Sequence, residues 1–269
     1  MSPAVARAPL TVGDWGFALD ASCVGLISLA IAGLADQLPT MSVLVPAIIC
    51  IRMVAFGLLQ RAERGGLSVG RELLLLALCT LIGGFNDWNS VHHHRVYDYG
   101  VPVYFPSLSL IPLWMLLFWG MILRFFVTLA SWHRLAAGAV SDSVYFGSRQ
   151  LRHGALKVGL QLLLVFGTRQ AIYRLYADPI LSWLPFALAI VLYAVLFRPS
   201  AARRKLFLLA LTVGPVVEIV YIQLGGLHRY HLGVLAGVPI WIALWWPLAV
   251  LVWADLAGRI VALRQQHSD

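Results

Sequence analysis

The sequence predicts an all-α, polytopic membrane protein: a bundle of about eight transmembrane helices with a parallel internal duplication of four plus four. Three observations predict it. Of the 269 residues, 60% are hydrophobic and only 12% are charged, whereas soluble domains carry about 25% charged residues. Apolar runs of membrane-spanning length recur along the chain. Basic residues are concentrated between those runs, as membrane topology requires.

Eight apolar runs approach the length of about 20 residues that a bilayer-spanning helix needs. The fifth and sixth are separated only by a tight turn at Asp178-Pro179, where the proline discourages helix continuation. The expected helices are 15–35, 41–60, 71–87, 107–131, 156–176, 179–197, 205–226 and 239–263.

Basic residues in the loops predict the orientation of the chain. The second, fourth and sixth loops carry them, including Arg64, Arg71, Arg134, Arg152 and Arg204, and the first loop has none. Because Lys and Arg are retained in the cytoplasm, we expect both termini to be cytoplasmic, in a bacterial inner membrane. The third and seventh loops then share the opposite face. Topology thus explains the net charge of +8, and no basic cluster has the interleaved aromatic residues of a nucleic-acid surface.

Similar segments indicate the duplication. The third helix begins "RELLLLALC" and the seventh "RKLFLLALT", and each is followed by a Tyr-bearing loop, a Gly-Val-Pro triplet and a Trp-rich helix. The equivalent helices are four apart, an even number, so the repeats 1–132 and 133–269 are expected to be parallel. Repeats of this kind place shared sites at their interface.

Glu218 is the first candidate for chemistry. It lies in the seventh helix, about 20 Å from Lys205 along the axis, and an ionisable group at that depth is a functional-site hypothesis by default. Arg169 in the fifth helix lies at a similar depth. It is either the ion-pair partner of Glu218 or a bidentate holder of an anionic head group. Asn86 and Asp87 end the third helix at nearly the depth of Glu218, so the repeat makes them its counterparts. Asp87 taken alone reads instead as a solvated loop carboxylate.

Five histidines are expected on the same face as the third and seventh loops. His92, His93 and His94 are adjacent, and His228 and His231 lie in the seventh loop. Imidazoles can bind zinc, copper or iron, but three adjacent ones cannot all point at one metal from a regular helix or strand. We therefore expect no metal and keep a divalent or transition metal ion on these five residues as the alternative. The sequence contains no GxSxG motif and no P-loop.

The segments "EIVYIQLGGLHRYHLGVLAGVPIWIALWW" (218–246) and "FNDWNSVHHHRVYDYGVPVYFPSLSLIPLWMLLFW" (85–119) resemble integral-membrane proteins that modify carotenoid ends. These are the lycopene cyclases of the small membrane type and the related carotenoid hydratases. The resemblance implies a duplicated membrane bundle acting on a polyprenyl chain. The cyclases carry a Pro-x-Glu-Glu-type acidic pair, whereas this chain has Pro102-Val103-Tyr104 and Pro239-Ile240-Trp241. Only Glu218, with Asp87, could then replace the missing acid.

The leading hypothesis is a cofactor-free, redox-neutral cyclase-, hydratase-, lyase- or isomerase-type enzyme acting on a hydrophobic polyprenyl or carotenoid-like molecule. Protonating an alkene needs a neutral carboxylic acid, and the resulting cation needs aromatic faces. Glu218 and Asp87 are the candidate acids, and His228 or His231 the proton relay. The candidate substrate-binding residues are Asn86, Trp88, Tyr97, Tyr99, Arg169, Tyr221, Tyr230, Trp241 and Trp245. The rivals are a His-ligated metalloenzyme and a non-catalytic transporter or lipid-binding protein that uses Arg169 and Glu218.

Overall fold

The computed structural model describes residues 12–62, 69–132, 135 and 142–266. It confirms a polytopic bundle, with eight α-helices in the described residues. Five of them, α1, α2, α3, α4 and α7, are long and apolar enough to cross a membrane, and α6 and α8 contain shorter apolar segments. The helices are α1 Val12–Leu34, α2 Leu38–Ala62, α3 Val69–Trp88, α4 Leu113–Ser131, α5 Gly154–Leu175, α6 Leu184–Phe197, α7 Ala201–Gln223 and α8 Ile240–Gln266.

Two helices begin later than the sequence indicated. The fourth was expected from residue 107 but begins at Leu113, directly after Pro112, which lacks the N–H that an earlier turn would need. The sixth was expected from residue 179 but begins at Leu184. Before it, the Asp178 carboxylate accepts the backbone N–H groups of Ile180 and Leu181, at 2.8 and 2.7 Å, and holds a turn.

The loops contain two short antiparallel strand pairs, which the all-α expectation omitted. Strand β1, Tyr97–Tyr99, pairs with β4, His228–Tyr230, while β2, Ser143–Phe146, and β3, Arg149–Arg152, form a hairpin. The β1–β4 ladder joins the α3–α4 loop to the α7–α8 loop, which places both loops on one face of the bundle as predicted. We call this face the ladder side. A π-helical turn, Asn89–His93, extends α3 into its loop.

A buried ionic network joins the first four helices. Arg52 of α2 contacts Asp20 of α1 at 2.6 Å and Glu72 of α3 at 2.5 Å, and Arg124 of α4 contacts Glu72 at 2.8 Å. Thr128 donates a further hydrogen bond to Asp20. Two carboxylates thus face two guanidinium groups, and the network is electrically neutral. Buried charges are tolerated only when paired in this way.

A second cluster joins α5, α7 and α8. Asp255 contacts Lys157 at 2.9 Å and Arg203 at 2.7 Å, and it accepts a hydrogen bond from Gln161. Asp255 and Arg259 are four residues apart, a spacing that favours an ion pair along a helix. Arg259 instead contacts Asp142 at 2.5 Å, and three polar side chains from α5 and α7 contact the Asp255 carboxylate. Of the basic loop residues used for the topology, Arg64 and Arg134 lie outside the described residues.

The topology can be tested with two exposed serines, Ser107 on the ladder side and Ser148 in the β2–β3 turn. With the cytoplasmic assignment, Ser107→Cys should react with a membrane-impermeant maleimide in intact cells, and Ser148→Cys only after the cells are lysed. Labelling of the Ser148 variant in intact cells, with no labelling of the Ser107 variant, would reverse the orientation.

Removing one charge tests the ionic network. Glu72→Gln keeps the side-chain shape but leaves Arg52 and Arg124 sharing only Asp20, and breaking buried pairs typically costs about 3–5 kcal/mol. The midpoint of thermal unfolding in detergent should therefore fall strongly. The matched control is Asp36→Asn, which removes a charge from an exposed turn residue. Equal midpoints for the two variants would contradict a stabilising role for the network.

Candidate functional site

Glu218 lies in α7 against two side chains from β4. Its Oε2 is 2.8 Å from Nε2 of His228, and Tyr230 donates a longer hydrogen bond of 3.4 Å to the same oxygen. Because side chains alternate along a strand, His228 and Tyr230 face inward while Arg229 is exposed. All three polar groups are buried, with 5% exposure at Glu218 and 7% at His228. The result is a carboxylate–imidazole couple shielded from water.

Asp87 lies at the corresponding end of α3 and is fully buried, so the reading as a solvated loop carboxylate is not what the structure has. Tyr97 donates to its Oδ1, and Tyr99 donates to its Oδ2 at 2.8 Å. Both tyrosines are on β1, two residues apart and therefore on one face of the strand. Asp87 thus accepts from two phenol groups.

The two clusters have the same spacing. The partners of Asp87 follow it by 10 and 12 residues, and His228 and Tyr230 follow Glu218 at the same intervals. The ladder pairs them crosswise, Tyr97 with Tyr230 and Tyr99 with His228. This pattern is what a duplication would produce, and the division into repeats 1–132 and 133–269 stays a prediction.

The Gly-Val-Pro triplets that motivated the repeat are not structurally equivalent. Pro239 immediately precedes α8, whereas Pro102 lies in a long loop and Pro112 holds the position before α4. A better match is a tryptophan pair. A Cβ on Gly83 would lie 2.9 Å from Trp119, and a Cβ on Gly214 would lie 2.5 Å from Trp246. Each glycine lies four residues before a carboxylate. Because it has no side chain, a tryptophan can pack directly against the helix backbone.

A small cavity of about 20 Å³ lies between these groups. The Trp119 and Trp246 rings in its wall stack with centroids 6.0 Å apart. Within the described part of the chain, the indole N–H of Trp246 donates to no protein acceptor, whereas the Trp119 indole lies close to Asp87 and Tyr99. Buried donors are normally paired, so the Trp246 indole is available to a ligand. The lining residues are Tyr97, Tyr99, Met115, Trp119, Ile122, Glu218, Tyr221, His228, Tyr230 and Trp246.

The ladder tyrosines remain hydrogen-bond donors. Burial raises the pKa of Tyr97 and Tyr99 well above the ordinary range, and the nearby Asp87 carboxylate adds to the rise. Burial and the Glu218 carboxylate likewise raise the pKa of Tyr230. All three phenols therefore stay protonated at physiological pH.

Only one of the five histidines reaches the cavity. His92 stacks on Trp88, His94 stacks on Tyr173, and His93 meets only the edge of His94. His231 is exposed, with its Nε2 2.8 Å from the carbonyl oxygen of Arg95, so it does not stand beside Glu218. Among the residues described, no group of three His, Cys, Asp or Glu side chains is placed to hold a metal ion. The structure does not bring the alternative metal ligands together.

Arg169 is not the ion-pair partner of Glu218. It is 6% exposed, donates to Ser90, and lies over the rings of Tyr173 at 5.2 Å and Trp245 at 5.8 Å. No carboxylate among the described residues lies within 4.0 Å of it. Its Nε–H donates to no described group. Aromatic faces provide part of the compensation that a buried cation needs.

The other predicted binding residues divide into two sets. Tyr221 lines the cavity, and its hydroxyl lies 2.7 Å from that of Ser28 on α1. Trp241 and Trp245 pack around the cavity, Trp241 at the edge of Tyr230 and Trp245 at the edge of Trp246. Trp88 points away from it and packs on Phe85. Asn86 is half-buried, and its backbone carbonyl accepts a hydrogen bond from Ser90.

Sequence reasoning missed Trp119 and Trp246. A signal was present, because Trp114 and Trp119 have the same spacing as Trp241 and Trp246, and each pair begins shortly after a proline. Met115 and Ile122 also line the cavity, but the sequence did not predict this because their neighbours in sequence are apolar as well.

Comparisons with known proteins found a similar fold in one solved structure. No family model matches the chain, and no curated protein does. The fold is similar to the crystal structure of a mycobacterial Insig homologue, MvINS from Mycobacterium vanbaalenii. The TM-score is 0.53 and the identity 22%, over 71% of this chain and 94% of that chain. At this identity the likeness shows the fold, a polytopic helical membrane protein.

Proposed function

We propose that this protein binds a hydrophobic lipid in the membrane, of the polyprenyl or carotenoid class, and holds one end of it in the cavity beside Glu218. The observation that carries the proposal is the Glu218–His228 couple at 2.8 Å, opening onto a cavity walled by two tryptophans. The similar fold of MvINS supports a membrane-embedded site and says nothing about its ligand.

The polar groups of the cavity are complementary to a hydroxyl or carbonyl. Glu218 accepts hydrogen bonds, and the indole of Trp246 donates. In hydrocarbon each of these groups needs a partner, and a lipid with one polar end supplies one. Discrimination then depends on that end, because a site that pairs with a hydroxyl rejects the analogue that lacks it.

The size of the cavity favours a small polar chain end. Its volume of about 20 Å³ is enough for one water-sized group, so the polar end of a long lipid enters and the remainder stays in the bilayer. Stacked indole walls favour the planar, unsaturated segments of a polyene over a saturated acyl chain. We place this end of the lipid at the non-cytoplasmic half of a bacterial inner membrane.

Two histidines three residues apart provide a matched test. His228→Gln alters the cavity, whereas His231→Gln alters an exposed imidazole. We expect His228→Gln and Glu218→Gln to lose co-purifying polyprenyl or carotenoid lipid by about tenfold, as lost hydrogen bonds to a charged group would cause. His231→Gln should retain it. Mass spectrometry of lipid extracts measures the amounts, and unfolding midpoints check the fold. Equal lipid in all four proteins would refute the proposal.

The second candidate is catalysis by the same residues. The 2.8 Å contact favours it, because His228 could deliver a proton to Glu218 between turnovers. Glu218 as a carboxylic acid would protonate an alkene carbon, and the cation would then lose a proton after ring closure or add water. Such a cyclase or hydratase is redox-neutral and matches the carotenoid-modifying proteins that the sequence resembles.

Turnover and binding separate the two candidates in one variant. If Glu218 donates the proton, Glu218→Gln should lower product formation about 100-fold or more in cells that make a linear carotenoid. Pigment chromatography measures the product, and His231→Gln is the control. Lipid retained by the wild-type protein with no new product over hours would support binding alone.

A further inference from the structure

A second cavity lies at the other end of α7, on the side of the membrane opposite the ladder. Its volume is about 210 Å³, larger than that of the cavity at Glu218. Leu248 and Leu251 of α8 form its floor, Tyr193 and Ala194 of α6 form one wall, and Phe207 and Arg204 of α7 form the other. Arg204 precedes Glu218 by 14 residues, so the two cavities are about 20 Å apart along the helix.

This cavity lies in the gap between α6 and α7. Both α6 and α7 pack on α8, but they hardly contact each other, so a slot remains between them. Apart from Arg204, the side chains that line it are proline, aliphatic or aromatic. A slot of this kind at membrane depth suits a hydrocarbon chain and offers water few partners.

Positive charge is concentrated at the mouth. Arg204 donates one hydrogen bond, of 3.0 Å, to the carbonyl oxygen of Pro199, and no carboxylate in the described ranges lies within 4.0 Å of its guanidinium. The adjacent Arg203 shares its one carboxylate, Asp255, with Lys157. Exposed Arg198 and Lys205 flank the same loop. In the first four helices, by contrast, two carboxylates balance two arginines.

We propose that this cavity binds one anionic phospholipid of the surrounding leaflet, with an acyl chain in the slot and the phosphate on Arg204. Charge complementarity identifies the occupant. The head group supplies the anion that the Arg204 guanidinium lacks, in a bidentate geometry that guanidinium favours, and basic pockets between transmembrane helices bind such head groups. The site is separate from the one at Glu218 and does not depend on its function.

Native mass spectrometry of delipidated protein in detergent tests the proposal. Dioleoyl phosphatidylglycerol, dioleoyl phosphatidylcholine and oleate would be titrated separately. We expect one phosphatidylglycerol to bind, at least tenfold more tightly than either other molecule. Arg204→Gln should remove that preference, and Ala194→Trp, which fills the slot, should remove the binding. The control Lys205→Gln removes a charge from the exposed neighbour, outside the cavity, and should bind as the wild type does.

Several outcomes would overturn the assignment. Equal affinity for the two phospholipids would show an apolar slot that does not select the head group. Tighter binding of oleate would identify a free fatty acid as the occupant. Equal losses in Arg204→Gln and Lys205→Gln would reduce the effect to general surface charge. A dimer that Ala194→Trp dissociates would show that a second copy covers the slot. Unchanged unfolding midpoints are required of every variant before its binding is compared.

Discussion

Three residue pairs between β1 and β4 determine where the polar groups of the ladder-side site lie. Each strand follows its carboxylate by about ten residues and returns over it, which brings Tyr97 and Tyr99 to Asp87, and His228 and Tyr230 to Glu218. An isolated ladder of two three-residue strands would be only marginally stable in water. Here the side chains of the ladder contact Asp87 at the end of α3 and Glu218 of α7, and these contacts stabilise it. Ladder and carboxylates therefore stabilise each other.

Buried charges must also be paired, and this requirement determines the packing on the side of the membrane opposite the ladder. Asp20, Arg52, Glu72 and Arg124 come from four different helices and neutralise one another, so they define how α1 to α4 pack. In the described residues of the second half, Lys157 and Arg203 both contact Asp255, and Arg259 contacts Asp142. The proposed phospholipid would add its phosphate to this side at the exposed Arg204.

Composition and loop charge were sufficient to predict the helix count, the bundle and the shared face of the third and seventh loops, because these depend on hydrophobic length and on Lys and Arg placement. Counting the helical rise from the basic loop residues predicted nearly the same membrane depth for Asp87 and Glu218. It could not pair Glu218 with His228, since that contact depends on a strand too short to have a sequence pattern. Arg169 was expected either to pair with Glu218 or to hold an anionic head group, because intramembrane charges usually pair, whereas aromatic rings and Ser90 surround it. The equal spacings of 10 and 12 residues were visible in the sequence, but only the ladder gives them meaning.

The two clusters differ in the carboxylate, Asp87 against Glu218, and in the residue ten positions later, and this second difference separates their chemistry. Tyr97 and His228 occupy matching places, ten residues after their carboxylates. A buried phenol stays neutral and can only donate, so Asp87 is held in one hydrogen-bonded arrangement by two such groups. An imidazole nitrogen can donate or accept, depending on the tautomer, and Nε2 of His228 lies 2.8 Å from Glu218. Asp87 is therefore suited to anchoring the ladder, whereas Glu218 faces an imidazole whose hydrogen-bonding role depends on its tautomer. This contrast is the reason that the proposed lipid contact and proton transfer are assigned to Glu218.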